Sequence, residues 1–216
     1  MTTARLGSME GVIGLSVRTD PARTRRAILD AARQRFLHYG YKKTTVDEIT
    51  SDAGVGKGTV YLYFAGKEEI LHTLVLEVKR DITQRMRAIA AVSLPPAEKL
   101  TEMLVVRVVA VYEVCTTTPH GCELVDEIRP HLVRWGREEL EAQLGLLAEV
   151  LRDGHRQGVF DVADPERTAP LLTAACAAFF PPYLCPAFPT PRTSADLEAG
   201  TREMVGLILR GLRRSR

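Results

Sequence analysis

The sequence predicts an all-α protein on three observations. Apolar residues recur three and four positions apart along most of the chain, which is the period of an amphipathic helix. Helix-start patterns occur at Asp20-Pro21 and at Thr45, which Glu48 completes as a capping box. No stretch of useful length alternates between apolar and polar residues, so no strand is predicted. The clearest helical seam is Leu140, Leu144, Leu147 and Leu151.

The first helix is predicted to begin with Asp20 as N-cap and Pro21 at the first helical position, and to end at Gly40. A short second helix follows Thr45, and Gly54 supplies the left-handed backbone that ends it. The apolar stripes are Ile28, Ala32, Phe36 and Tyr39 in the first helix, and Val46, Ile49 and Ala53 in the second.

A third short helix has two faces of different character. Val60 and Phe64, four residues apart, are predicted to point inward. The other side offers a charge, hydroxyl groups, flat rings and a position without a side chain, which together suit a phosphate backbone and a base edge. The alternative is the solvated face of a helical hairpin that never touches DNA. The residues on this side are Lys57, Gly58, Thr59, Tyr61 and Tyr63.

Residues 27–71 resemble the DNA-binding domain of the tetracycline-repressor (TetR-type) family of bacterial transcriptional regulators. The resemblance lies in the motifs AA…F…GY, TTV..I, AGV.KGT.Y.YF and KEE.L. Gly56 and Gly66 depart from it, because the family usually has a serine-like helix cap at both positions. The predicted DNA contacts are Arg25, Thr44, Thr45, Lys57, Gly58, Thr59, Tyr61, Tyr63 and Lys67.

The distribution of charge agrees with a nucleic-acid partner. The whole chain of 216 residues carries a formal net charge of only +2. Residues 18–43, however, hold eight basic residues against Asp20 and Asp30, a local net charge of +6. Basic charge next to a helix-turn-helix is the footprint expected of a phosphate-facing surface.

The rest of the chain reads as long helices separated by proline and glycine. One helix is predicted from residue 67 to about residue 91, and the next follows Pro95-Pro96. Breaks are predicted at residues 116–121 and at Gly158, and the last helix follows a loop at residues 186–193. The prediction is therefore a disordered leader (1–19), a three-helix helix-turn-helix domain (20–66) and a larger helical effector and dimerisation domain (67–216), about nine helices in all.

Two further sites are predicted in the larger domain. The last two helices are rich in small residues and favour a four-helix dimer interface, with core packing inside one chain as the alternative. The resemblance implies a small-molecule effector of unknown identity, bound among large side chains that could equally be ordinary core. The predicted interface is Leu171, Ala175, Ala178, Met204 and Ile208, and the predicted pocket is Met103, Tyr112, Trp135, Phe179, Phe180 and Tyr183.

Other chemistry has weaker support in the sequence. Cys115, Cys122, Cys176 and Cys185 form no C-x-x-C pair, and the residues His120, Cys122, Glu123, Asp126 and His131 fit no structural zinc spacing. No catalytic motif, signal peptide or membrane-spanning run is present, so no cofactor, no metal, no enzymatic activity and a cytoplasmic location are expected.

The sequence thus predicts a homodimeric regulator, typically a repressor, that binds a palindromic operator and is released by a small molecule. The rival interpretations are a helix-turn-helix protein that acts through protein partners, a metal or redox sensor, and a helical domain that binds or converts a small molecule.

Overall fold

The computed structural model describes residues 20–116, 118–131, 134–177 and 193–212, and every regular element in these ranges is helical. The all-α prediction is confirmed. A short 3-10 turn, Arg129–His131, follows the sixth helix. The helices are α1 (Pro21–Tyr39), α2 (Val46–Ala53), α3 (Lys57–Tyr63), α4 (Lys67–Ala91), α5 (Pro96–Thr116), α6 (Gly121–Ile128), α7 (Arg137–Arg156), α8 (Pro165–Cys176) and α9 (Ser194–Gly211).

The predicted start and end of α1 are confirmed. The carboxylate of Asp20 accepts a hydrogen bond from the backbone N–H of Ala22 at 3.0 Å, and Gly40 ends the helix with φ +87°. Tyr39 was wrongly placed on the buried stripe. It lies in the last turn with 58% of its surface exposed, and its ring sits under the guanidinium of Arg35, 5.0 Å from the ring centroid.

A first core forms where α1, α2 and α3 meet. Beyond these helices it takes apolar side chains from the first turns of α4, and Leu124 and Trp135 from the later part of the chain. The predicted domain boundary at residues 66–67 stays a prediction, but this core runs past it. The buried members of the first core are Ile28, Leu29, Ala32, Phe36, Ile49, Val60, Phe64, Ile70, Leu71, Leu74, Val75, Leu124 and Trp135.

A second core fills the space between α4, α5, α7, α8 and α9. The seam predicted on α7 is part of it, with Leu147 and Leu151 fully buried. On α9 the buried stripe follows a spacing of four residues from Leu197. It consists of Leu197, Thr201, Val205 and Leu209, whereas Met204, Ile208 and Leu212 are half-buried beside it.

The start of α6 lies directly against the end of α5. A Cβ atom added at Gly121 would be 1.9 Å from the carbonyl oxygen of Val114 and 2.9 Å from the Cα of Cys115. Only glycine lets the two backbones approach this closely. This contact positions α6, whose side chains reach back to the first core.

Several predictions fall on residues outside the described ranges. These are the leader 1–19, Ala178, Phe179, Phe180, Tyr183 and Cys185. Among the described helices, none is both long enough and apolar enough to cross a membrane.

Candidate functional site

The turn between α2 and α3 has the geometry predicted from its capping residues. The backbone N–H of Thr45 donates to Glu48 Oε2 at 2.8 Å, and the N–H of Glu48 donates to Thr45 Oγ1 at 3.3 Å, which completes the capping box. The hydrogen bonds that the Glu48 carboxylate accepts from the backbone N–H and the hydroxyl of Thr45 lower the pKa of that carboxyl. Gly54 then adopts φ +66°, so the chain can turn sharply into α3.

An arginine fixes α2 against α1. The guanidinium of Arg35 donates to Asp52 Oδ1 at 2.9 Å and to Glu48 Oε1 at 3.3 Å. The hydrogen bond from Arg35 lowers the pKa of the Asp52 carboxyl. Because both acidic partners lie on α2, this ion pair helps to hold the helix that supports α3 in one orientation.

The outermost line of α3 is formed by Gly58 and Leu62. Val60 is fully buried, and residues two positions away on either side lie on the opposite side of a helix. An added Cβ at Gly58 would meet nothing within 4 Å, so the fold itself does not require a glycine there. Leu62 is 84% exposed and was not predicted as a contact, although its spacing of four residues from Gly58 could have identified it.

Lys57 and Tyr61 lie together on one flank of this outward line, and Thr59 lies on the other. Tyr61 is 49% exposed, and Thr59 is half-buried. Tyr63 is placed differently from the prediction: its ring is half-buried and packs against the first core. The reason is that Tyr63 stands three residues after Val60 and one before Phe64, where α3 faces inward.

Lys57 already has an acidic partner. Its Nζ is 2.7 Å from Asp47 Oδ1, and both side chains are more than half exposed. The hydrogen bond to Asp47 raises the pKa of Lys57. An approaching phosphate must therefore compete with Asp47 for this ammonium group.

Two predicted contacts are occupied inside the protein. Thr44 is buried, and its hydroxyl donates to the carbonyl of Gly40 at 2.8 Å. Lys67 Nζ donates to the carbonyls of Tyr41 and Thr44 at 2.8 and 2.9 Å, and burial lowers its pKa. Both side chains thus hold the loop between α1 and α2, and their contacts with DNA stay predictions.

Arg25 is exposed near the start of α1, on the side of α3. Its guanidinium carbon is 5.2 Å from the centroid of the Phe64 ring, and no carboxylate of the described residues forms an ion pair with it. The candidate surface is therefore Arg25, Thr45, Lys57, Gly58, Thr59, Tyr61 and Leu62, and its contacts with DNA stay predictions.

The protein-family comparison matches both halves of the chain. Residues 28–74 match the model of bacterial regulatory proteins of the tetR family, and residues 96–199 match the tetracyclin repressor-like C-terminal domain. The chain belongs to the TetR family. The resemblance seen in the sequence is thereby confirmed, and the protein is a helix-turn-helix transcriptional regulator rather than an enzyme.

Similar proteins support the assignment over most of the chain. An uncharacterised helix-turn-helix regulator of Bacillus subtilis strain 168, YhgD, is 30% identical over 149 residues, which cover 67% of this chain and 76% of that protein. The repressor BepR of Brucella suis biovar 1 is 27% identical, over 77% of this chain and 83% of its own length. A TetR/AcrR regulator from Thermobifida fusca matches in structure with a TM-score of 0.69 and 25% identity, over 88% of this chain and 98% of its own.

In this TetR-family protein, a cavity of about 390 Å³ lies between the helix-turn-helix and the larger helical part. Its walls come from α1, α4, α5, α6 and α7, and most of its lining is apolar. The volume is in the range that holds drug-sized ligands. The lining is Arg33, Phe36, Leu37, Leu71, Leu74, Val75, Val78, Lys79, Ile82, Arg107, Ala110, Val111, Val114, Leu124, Val125, Ile128, Arg129, Leu140 and Gln143.

The predicted pocket residues do not line this cavity. Met103 and Tyr112 are buried in the second core and are not among the residues that line the cavity. Trp135 belongs to the first core, where its ring stacks on that of His131 at 4.5 Å. Large apolar side chains fill cores as readily as they line pockets, so the predicted pocket stays a prediction. The remaining predicted pocket residues, Phe179, Phe180 and Tyr183, lie outside the described residues.

Of the described cysteines, Cys115 and Cys176 are buried and Cys122 is half-buried. Burial raises the pKa of Cys115 to about 12 and that of Cys176 to about 11, so both thiols are protonated at neutral pH. His120 Nδ1 is 2.9 Å from Glu123 Oε2. Within the described ranges, no three potential metal ligands gather around one point.

Asp47→Asn is expected to strengthen binding to operator DNA by about threefold, because it releases Lys57 from an exposed ion pair. The substitution keeps the size of the side chain and changes only its charge. A fluorescence-anisotropy titration at constant salt measures the effect. In the double variant Asp47→Asn/Lys57→Ala the gain should disappear, and a gain that survives would show that Asp47 acts on something other than Lys57.

Proposed function

We propose that this TetR-family protein is a homodimeric repressor that binds a palindromic operator with α3 and is released by a small molecule. Each dimer places two copies of α3 on half-sites one helical turn of DNA apart, about 34–36 Å. Phosphate contacts fix the position of the protein, and side chains at the outer line of α3 reach base edges.

The observation that carries this proposal is the outward side of α3. Lys57, Tyr61 and Leu62 are exposed there, and Gly58 leaves open space between them. A surface that only faced solvent would have no reason to present a tyrosine and a leucine. The local charge of +6 on residues 18–43 provides the attraction to a phosphate backbone.

The exposed leucines of the last two helices support the dimer. Leu171 on α8 is 63% exposed and Leu207 on α9 is 59% exposed. Met204, half-buried one turn before Leu207, extends this apolar face, while Ala175 and Ile208 lie half-buried at its sides. Such a face on two adjacent helices suits a four-helix interface around a two-fold axis.

The position of the cavity supports release by a ligand. Phe36 and Leu37 of α1 form part of its wall, and so do the first three turns of α4. The two halves also touch outside α4: the N–H of His120 donates to the carbonyl of Leu37 at 3.3 Å, and Lys42 Nζ is 3.0 Å from Glu127 Oε2. A ligand that fits the cavity best when α1 and α4 have moved would favour the arrangement that cannot dock on DNA.

Lys57→Ala and Tyr61→Ala test the assignment of α3. Lys57→Ala should reduce the slope of log affinity against log salt concentration by about one, since one phosphate contact is lost. Tyr61→Ala should lower affinity by about tenfold or more at every salt concentration, because it removes a contact and part of the packing of α3. The measurement is salt-dependent binding to duplex DNA from the protein's own promoter region.

The control for both variants is Arg152→Ala, which removes an exposed cation on α7, far from α3 in the chain. It should leave DNA binding unchanged. If the Lys57 and Tyr61 variants also bind like the parent, α3 is not the reading helix. A parent that binds no duplex DNA would instead favour the rival in which this helix-turn-helix acts through protein partners.

A further inference from the structure

The charged side chains that line the cavity are all basic. They are Arg33, Lys79, Arg107 and Arg129, and no Asp or Glu is found among the described lining residues. Two of these cations are neutralised at the wall, since Arg33 Nη2 is 2.8 Å from Glu77 Oε2 and Arg129 bonds to Asp126. Among the described residues, the positive charge of the cavity that no carboxylate pairs with therefore lies at Arg107.

Arg107 is a half-buried cation at the cavity wall, and its hydrogen-bond partner is neutral. Its Nη1 donates to Gln143 Oε1, and within the described part of the chain no carboxylate forms an ion pair with it. Burial lowers the pKa of this guanidinium. Arginine nevertheless stays protonated at any physiological pH, so the guanidinium of Arg107 keeps its positive charge at the cavity wall.

The groups around Arg107 leave this charge uncompensated. The thiol of Cys176 is close enough to feel the guanidinium but remains neutral, because burial raises its pKa to about 11. Lys79 adds a second positive charge, and the pKa of Lys79 is lowered by burial and by Arg107, with Glu139 opposing the shift. A half-buried cation without an anion is costly, so the arrangement favours an anion supplied from outside.

Gln143 is fixed in the orientation that such a site needs. Its Nε2 donates to Thr83 Oγ1 at 3.0 Å and to the carbonyl of Lys79 at 3.2 Å, and Thr83 Oγ1 donates to Glu139 Oε2 at 2.7 Å. The amide oxygen is thereby directed at Arg107. The guanidinium is held in place before any ligand arrives, which lowers the entropy lost on binding.

An apolar channel leads away from this polar end. On α4 it follows Leu71, Leu74, Val75 and Val78, and from Leu71 to Lys79 the helix rises by about 12 Å. On α5 it is lined by Ala110, Val111 and Val114, and at its far end by Phe36 and Leu37. The cavity thus has one cationic end and a long apolar body that reaches α1.

We propose that the cavity binds an amphipathic carboxylate, with its head group on the guanidinium of Arg107 and its apolar chain between α4 and α5, directed at α1. The guanidinium can bind both carboxylate oxygens at once. This inference rests on the proposed function, because it names the chemical class of the effector. A cationic compound would be repelled by Arg107 and Lys79 and should not bind. A neutral compound should bind more weakly than the carboxylate, because it would leave the charge of Arg107 uncompensated.

Isothermal titration calorimetry of the DNA-free protein tests the head group with three probes of one chain length. Decanoate, decan-1-ol and decyltrimethylammonium, each used below its micellar concentration or solubility limit, share a ten-carbon chain and carry an anionic, a neutral and a cationic head group. Decanoate should bind at least about tenfold more tightly than decan-1-ol, the size of a charge-assisted hydrogen bond, and the ammonium should bind least. Equal binding of all three, or no binding of decanoate, would overturn the proposal.

Arg107→Met assigns the head-group contact, because it keeps the apolar length and removes the charge. Decanoate affinity should fall by about tenfold or more, while decan-1-ol should bind at least as well as to the parent. Arg129→Met is the matched control, since it removes a cation from the same cavity that is already paired with Asp126, and it should bind decanoate like the parent. Arg107→Lys, which keeps the charge but loses the planar fork, should fall between the parent and Arg107→Met.

The experiments separate binding of a carboxylate at Arg107 from release of the operator by that ligand. If Arg107→Met binds decanoate like the parent, the head-group site is wrong whatever the protein does to DNA. If decanoate binds through Arg107 but leaves operator affinity unchanged, the inference stands and the effector part of the proposed function fails. Where decanoate does release the operator, operator DNA must weaken decanoate binding by the same factor.

Discussion

Leu207→Glu is expected to convert the proposed dimer into a monomer and to weaken operator binding by about a hundredfold or more. Leu207 is 59% exposed on α9 in the single chain, so the substitution leaves the second core of that chain intact. In a two-fold interface the new carboxylate appears twice and is buried without a partner. The two copies of α3 then lose their tether, and the second half-site no longer benefits from a high effective concentration.

Sedimentation velocity and operator titration on the same sample measure the two effects. Val92→Glu is the matched control, because Val92 is an apolar residue with 51% exposure at the end of α4, outside the two helices of the proposed interface. It should remain dimeric and bind DNA like the parent. Leu207 is a cleaner position than the predicted Ile208, which is half-buried and packs against the second core. If the Leu207→Glu protein stays dimeric, Leu207 on α9 is not part of the dimer interface.

Gly121→Ala is expected to destabilise the protein by about 3 kcal/mol, the upper end of the range for overpacking. Its Cβ would lie 1.9 Å from the carbonyl oxygen of Val114, and a backbone atom cannot swing aside as a side chain can. The start of α6 would have to move away from α5. Since Leu124 on α6 belongs to the first core and lines the cavity, both DNA binding and ligand binding should weaken as well.

Gly145→Ala on α7 is the control for this substitution. An added Cβ there meets nothing within 4 Å, so the change should stabilise the protein by about 0.5–1 kcal/mol through helix propensity. Urea unfolding followed by far-UV circular dichroism compares both variants with the parent. Equal stability of Gly121→Ala and the parent would mean that α5 and α6 are not in close contact in solution.

The sequence predicted best the features that depend on neighbouring residues. The N-cap Asp20, the Thr45–Glu48 box and the left-handed Gly54 are all as expected, because each is decided within four residues. The predicted burial of Tyr39 was wrong, because the apolar spacing continues to the last turn of α1 whereas that turn extends beyond the core. The burial of Thr44 was not predicted either: it lies beside the short second helix, but its hydroxyl points inward and donates to the carbonyl of Gly40.

The cavity could not be predicted, because its lining comes from five helices that are distant in the sequence. Neither Arg107 nor Gln143 belongs to a motif, and a lone arginine in a long helix reads as a solvated cation. Only the crossing of α5 with α4 and α7 makes Arg107 a half-buried charge. The size of large aromatic residues such as Trp135 says only that they are buried and not against what.

The first core includes residues beyond the helix-turn-helix, which limits where this protein can be truncated. Ile70, Leu71, Leu74 and Val75 come from α4, and Leu124 and Trp135 come from still later in the chain. A fragment ending at residue 66 would expose the apolar surface that these side chains cover, so we expect it not to fold alone. In a hybrid of this helix-turn-helix with the effector domain of a relative, the residues that replace Leu124 on α6 and Trp135 would come from the relative and would not match this first core. Exchange of sensors between such regulators therefore requires the partner surfaces of α1 to be exchanged with them.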